Sequence, residues 1–206
     1  MSLEELFKGR GLDLPAAMGR LEKVAAELGL PWGRRTRTYN SRRAQELGKW
    51  AEASGQGDEF HMAVFHAYFV DGRNIADISV LKEIVGKIGL DGRTAEQVLA
   101  EKTFKEAVDH DWEYSRTCGI TAVPTFMVDG RRVIGAQPYQ ALVDLVTAAG
   151  GKMRVFNKLT GPEEKRIPPL IAFANYFYSF RINSPGKYEV QAMTWVMASR
   201  SYSSPE

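Results

Sequence analysis

Cys118 is the one thiol in a chain of 206 residues. Thiol–disulfide exchange needs a thiolate and a second thiol to resolve the mixed disulfide. With a single cysteine the chain can form no intramolecular disulfide, no four-thiolate metal site and no CxxC redox pair. Cys118 therefore has two readings: a lone redox or glutathionylated thiol, or a small apolar residue at a helix end, which is how most free cysteines behave. Other reactive types are equally sparse. His61 and His66 are five apart, about 140° round a helix, so they cannot chelate one metal from it, and His110 has no spaced partner. The run RRTRTYNSRR (34–43) holds five arginines. It resembles a nucleic-acid patch until Glu46, Asp58 and Glu59 follow it; a solvated face, or an anion site at the helix start near Asn40 and Ser41, fits better. No Walker loop, Rossmann fingerprint, nucleophile elbow or zincin motif is present.

Composition narrows the class. Hydrophobic residues at 44%, charged at 25% and aromatic at 11% describe a globular chain and exclude disorder, collagen and coiled coil as the main theme. The net charge of +2 is unevenly spread: residues 1–150 carry 19 Lys+Arg against 21 Asp+Glu, and 151–206 carry 8 against 4. Neither balance argues for nucleic acid. MSLEELFKGR opens acidic and polar, unlike a signal peptide. The most apolar stretch, PPLIAFANYFYSF (168–180), is too short to span a bilayer. The expected setting is cytoplasmic, without membrane or nucleic-acid partners.

The elements that must position Cys118 begin with a series of helices. Leu14, Ala17, Met18, Leu21, Val24, Ala25 and Leu28 recur at helical spacing between Asp13 and Gly29, and are read as an inward face. A second helix starts at Asn40 or Ser41 with Ala44, Leu47 and Ala51 inward. A third starts near Asp58, presents Phe60, Ala63, Val64, Ala67 and Tyr68, and stops near Asp71-Gly72. Asp77 caps a fourth with Leu81, Ile84, Val85 and Ile88, closed by Gly89. Thr94 is read as the cap of a short helix bearing Val98 and Leu99. Thr103 to Glu106 reads as a capping box opening a helix through Val108, Trp112 and Ser115 to Gly119.

After Gly119 the period changes. Thr121 to Val128 is β-rich, Asp129-Gly130 signals a hairpin, and Arg132 to Ile134 returns. Pro138 starts a helix with Tyr139, Leu142, Val143 and Val146 inward, ending at Gly150-Gly151. Two strands and one helix make a poor core, so the sheet must be completed by the tail or by a second copy of the chain. Residues 151–206 hold nine aromatics. There, Met153, Val155 and Phe156 suit a strand, Pro169 to Arg181 a buried or interfacial helix, and Tyr188 to Ala198 another strand.

CGITAVPTF (118–126) resembles the strand entry of thioredoxin-fold proteins, in which the bond before the proline is cis. With TYNSRRAQELGKWAE (38–52), AVFHAYFVDGRNIAD (63–77), DWEYSRTCGI (111–120) and GAQPY (135–139), the chain is similar over about residues 3–148 to DsbA-family oxidoreductases of the FrnE type. The resemblance implies an α/β, thioredoxin-like fold with a large helical insertion. On that scheme 1–119 is the helical block, 120–150 the cis-proline strand, hairpin and last helix, and 151–206 an unassigned aromatic-rich extra segment. The family's N-terminal strand, CxxC and helix have no counterpart, as though the chain were truncated.

The function implied is thiol–disulfide oxidoreduction, impaired here because no cysteine pair is present. Val123, Pro124 and Thr125 are the implied substrate-binding residues, with an extended peptide or a thiol such as glutathione as the ligand and no metal. Two alternatives stay open. One is a glutathione-binding protein like 2-hydroxychromene-2-carboxylate isomerase; the other, motivated by the aromatic helix expected over 169–181, is a non-catalytic interaction module. A homodimer completing the sheet is a separate expectation.

Overall fold

In the computed structural model, residues 1–9 and 11–151 are described, together with the backbone of 180–183 and 189–193. The strand expected at Met153 to Phe156, and residues 169–179 of the expected helix, lie outside the described residues. Contacts divide the chain into a helical unit, within Met1–Glu113, and a sheet unit, within Tyr114–Met197.

The helical unit opens with α1 (Leu3–Phe7), closed at its start by a reciprocal Ser2–Glu5 capping box. α2 (Leu14–Glu27) starts where Asp13 caps it, with Pro15 in the first turn. Its apolar face is not the inward face the spacing suggests: Ala25 is the buried residue, and Leu21, Val24 and Leu28 are exposed. Periodicity reports which residues share a face, not whether anything covers it.

Packing is tighter in the next helices. α3 (Arg42–Ala53) buries Ala44, Leu47 and Ala51. α4 (Gly57–Phe65) buries Phe60 and Val64 and runs on as a π-helical turn, His66–Val70, that buries Ala67, Tyr68 and Phe69. α5 (Ile78–Lys87), capped by Asp77, adds Leu81, Ile84 and Val85. α6 (Gly92–Ala100) corrects one cap: Asp91 is the N-cap, and Thr94 donates to it from both its amide and its hydroxyl, at 2.8 and 2.7 Å. α7 (Lys105–Thr117) starts one residue later than the Thr103 box implies, because the Thr103 amide closes α6 on Val98 O at 3.1 Å. α7 stops where Gly119 takes φ +66 and the Ile120 amide returns to Ser115 O.

In the sheet unit, β1 (Thr125–Val128) and β2 (Arg131–Ile134) pair antiparallel around a two-residue turn. Asp129 and Gly130 both have positive φ, +49 and +73, as the twist-matched hairpin turn requires. β1 is shorter than the Thr121–Val128 run because Pro124 has no amide proton to give a ladder. α8 (Tyr139–Ala148), with the Ala149 that follows it, packs on this pair through Leu145, Val146 and Ala149. Tyr139 was expected inward and is 74% exposed. The strands under α8 are four residues long, and its buried stripe begins at Leu145, six residues after Tyr139.

The sheet is four-stranded, in the order β2-β1-β4-β3. β3 (Phe180–Asn183) pairs with β4 (Glu189–Met193), and β4 pairs antiparallel with β1. The second edge of β1 is thus met by the same chain. Phe180 and Arg181, expected to end a helix, open β3 instead, and β4 falls inside the strand expected over 188–198. No described helix is long and apolar enough to cross a membrane.

Candidate functional site

The three residues Val123, Pro124 and Thr125 form a corner where the chain turns from the end of α7 into β1. The Val123–Pro124 peptide bond is cis. Two hydrogen bonds clamp the corner. The Gly135 amide donates to Pro124 O at 2.7 Å, and the Thr125 hydroxyl donates to Ala122 O at 2.6 Å. Thr125 is 1% exposed, so its hydroxyl needs that acceptor: an unsatisfied buried hydroxyl costs about 1–3 kcal/mol. Gly135 has φ +86, a conformation that favours glycine, and this lets the chain leave β2 while its amide still reaches Pro124.

Between the two clamps, the amide and carbonyl of Val123 have no hydrogen-bond partner among the described residues. Val123 itself is half-buried. Ile134, opposite Thr125 in the β1–β2 register, is 48% exposed. An unpaired amide and carbonyl on one residue, next to exposed apolar surface, can pair with an extended chain or with a short peptide such as glutathione. Gly135 and Ile134 were not singled out from the sequence. Their only signal was the position of GAQP directly after the hairpin.

Cys118 is half-buried, its amide donating to Tyr114 O at 3.0 Å in the last turn of α7. It therefore stands at the carbonyl end of a helix, whereas reactive thiolates are commonly held at the amide end. Arg132 of β2 donates to Gly119 O at 3.1 Å, which places a cation on the same helix end.

The arginine run of residues 34–43 is put to structural use. Arg42 donates to Glu46 at 2.7 Å, to Asp109 at 2.6 Å and to Lys105 O at 2.8 Å, and lies 5.1 Å over the Trp112 ring. The Arg42 bond, with help from Lys105, lowers the Asp109 carboxyl to about 2. Arg43 donates to Ala76 O at 3.0 Å. Arg35 lies 4.5 Å over Tyr68 and donates to its hydroxyl. The start of α3 is occupied by the chain's own groups: Asn40 accepts from the Arg42 amide, and the Ser41 hydroxyl accepts from Gln45. His61 and His66 each face a separate carboxylate, Glu52 at 3.2 Å and Asp71 at 3.3 Å. Among the described residues, no group of three or more His, Cys, Asp or Glu could hold a metal ion.

Comparison with known proteins bears on the corner and its scaffold together. A solved structure of a probable DsbA oxidoreductase from Streptomyces coelicolor superposes with a TM-score of 0.63 at 26% identity, covering 79% of this chain and 72% of that one. The uncharacterized protein YwbO of Bacillus subtilis is 33% identical over 91 residues, which are 42% of this chain and 44% of that protein. The chain thus matches less than half the length of that curated relative. The family model of the DSBA-like thioredoxin domain matches residues 13–147, a span that takes in the helical unit from α2 onward, the corner and nearly all of α8. The chain belongs to the DSBA-like thioredoxin domain family.

Proposed function

We propose that the Val123–Thr125 corner is the substrate-docking side of a DsbA-type thiol–disulfide exchange site, and that this chain alone turns over little or no disulfide. The observation that carries the reading is the amide and carbonyl of Val123, unpaired among the described residues and held between two clamped neighbours. An extended peptide, or glutathione, can pair there as a strand pairs with its neighbour.

The limit on turnover is one of electron counting. Oxidising a dithiol removes two electrons and two protons as one S–S bond forms. One thiol can carry a mixed disulfide but cannot resolve it without an external thiol. Cys118 is alone in the chain. Where external glutathione could resolve its mixed disulfide, the thiol stands at the carbonyl end of α7 and not at the helix amide end where reactive thiolates are commonly held, so little turnover is expected with glutathione present as well.

The test is insulin reduction with glutathione as the electron source, run beside Cys118→Ser. Both proteins should give rates at the uncatalysed background. Turnover comparable to that of a two-cysteine thioredoxin-fold oxidoreductase overturns the reading. Calorimetry with glutathione separates the alternatives: binding without redox turnover favours a glutathione-dependent isomerase-like activity, and peptide binding without glutathione binding favours a non-catalytic module.

A further inference from the structure

β4 takes the edge of β1 that β2 leaves open, with Gln191 opposite Met127, Ala192 opposite Phe126 and Met193 opposite Thr125. Because the strands run antiparallel, β4 leaves the sheet at the end where β1 begins, next to Pro124. An extended segment of the chain already lies along the strand that starts at the docking corner.

We propose that β4 is a displaceable occupant of that strand: it shields the corner, and an extended peptide binds by exchanging with it. This rests on the docking reading of Val123–Thr125 and adds its regulation.

Three features make β4, and not β2, the strand that exchanges. β2 is paired with β1 over four residues and β4 over three. β2 follows β1 after two turn residues, whereas residues 149–179 separate β3 from α8, and longer closure costs more entropy. Finally, β3 is last in the sheet order and pairs with β4 alone, so the two strands can leave as one hairpin. A detached hairpin is marginal in water, so its order depends on β1. Recognition by strand addition gains affinity from main-chain hydrogen bonds, which β4 and a peptide would make to β1 in the same way. The tether gives β4 the advantage of an intramolecular competitor, one whose effective concentration falls as the linking chain lengthens.

The probe is a fluorescein-labelled peptide copying residues 188–195, which runs two residues past Met193 and so is long enough to reach Val123. Its binding is followed by anisotropy on the full-length chain and two full-length variants. In Ala192→Pro the β4 ladder is broken. In Phe126→Cys/Ala192→Cys, made with Cys118→Ser, a disulfide locks β4 to β1 and a reductant releases it. The proline variant should bind at least tenfold more tightly than the parent chain, and the locked form at least tenfold more weakly than its own reduced form. The lock compares one polypeptide with itself, so the result stands even where the proline variant misfolds. Equal, measurable affinity of the locked and reduced forms overturns the proposal and leaves the docking reading intact. Equal binding of a scrambled peptide also overturns it. No binding by any form removes the docking reading, and the proposal with it.

Discussion

Among the described residues, Leu47, Phe60, Ile75, Leu81, Ile84 and Val85 are fully buried large side chains of the helical unit; in the described part of the sheet unit the corresponding residue is Thr125, a polar one. The apolar cluster of the sheet unit is Val128, Leu145 and Ala149, with Phe126, Val133 and Val146 packed partly buried against it. The contrast extends to charge. The helical unit ties its surface together with ion pairs such as Arg42–Asp109 and Lys49–Asp111, at 2.6 and 2.7 Å. The Val123–Thr125 corner sits in the sheet unit, where the described residues form the smaller core. Binding surfaces are often drawn from the less stable parts of a fold, because exchange and closure need local opening. Among the described residues the helices hold the more extensive apolar packing, and the proposed exchange of β4 falls in the unit with less described packing to lose.

The largest expected effect is on the two cores. Phe60→Ala should cost about 3–5 kcal/mol, since a fully buried ring leaves a cavity its rigid neighbours cannot fill. Leu145→Ala should cost about 2–3 kcal/mol, near the low end for its type, because half-buried neighbours can relax into the space. Amide exchange and urea unfolding measure both. A loss at Leu145 equal to or greater than that at Phe60 would remove the contrast between the units.

Much of this division was legible in the sequence, for identifiable reasons. The buried faces of α3, α4 and α5 follow from apolar residues at helical spacing, and their ends from Asp77, Gly89 and the Asp71-Gly72 pair. The hairpin follows from Asp129-Gly130, a pair suited to positive φ. Three features were not legible. The cap of α6 was assigned to Thr94 because Asp91 and Thr94 are both capping types; local sequence does not say which is donor and which acceptor. The outward turn of Tyr139 and the exposed stripe of α2 depend on what lies opposite, which periodicity does not report. At the site, Val123 to Thr125 were reached through resemblance, while the Gly135–Pro124 bond joins residues that only the folded hairpin brings together.

Arg42→Ala should come next in size. It removes bonds to Glu46, Asp109 and the Lys105 carbonyl, and strips a cation from the Trp112 ring. The Arg42 and Glu46 side chains are 22% and 9% exposed, so the loss should lie between the surface and buried cases, at about 2 kcal/mol. Arg42→Lys should recover less than half of it, because an ammonium cannot serve all three acceptors with the geometry of a planar guanidinium. The loss should appear as a lower urea midpoint followed by Trp fluorescence, since Trp32, Trp50 and Trp112 all lie in the helical unit. A near-zero effect would mean that the unit owes its rigidity to apolar packing alone.

The smallest effect is an acid one, and it sharpens the same contrast. The Asp109 carboxyl is held at about 2, below its ordinary 3.8, chiefly by the Arg42 hydrogen bond and then by Lys105. A carboxyl lowered on folding stabilises the fold above its unfolded value, and that stability is lost as pH falls from about 4 through about 2. The Asp109 side chain is 43% exposed, so water and salt screen the pair and its contribution stays below about 1 kcal/mol. Asp77 and Asp91, lowered by their hydrogen bonds to Ser79 and Thr94, should also lose capping strength as pH falls below the ordinary aspartate range. Urea midpoints at pH 5, 4, 3 and 2 should therefore fall less steeply for Asp109→Asn than for the parent chain, with the two curves converging near pH 2. Identical slopes for the two proteins would assign the acid sensitivity of the helical unit to its caps, and leave Arg42 stabilising it through Glu46 and Trp112.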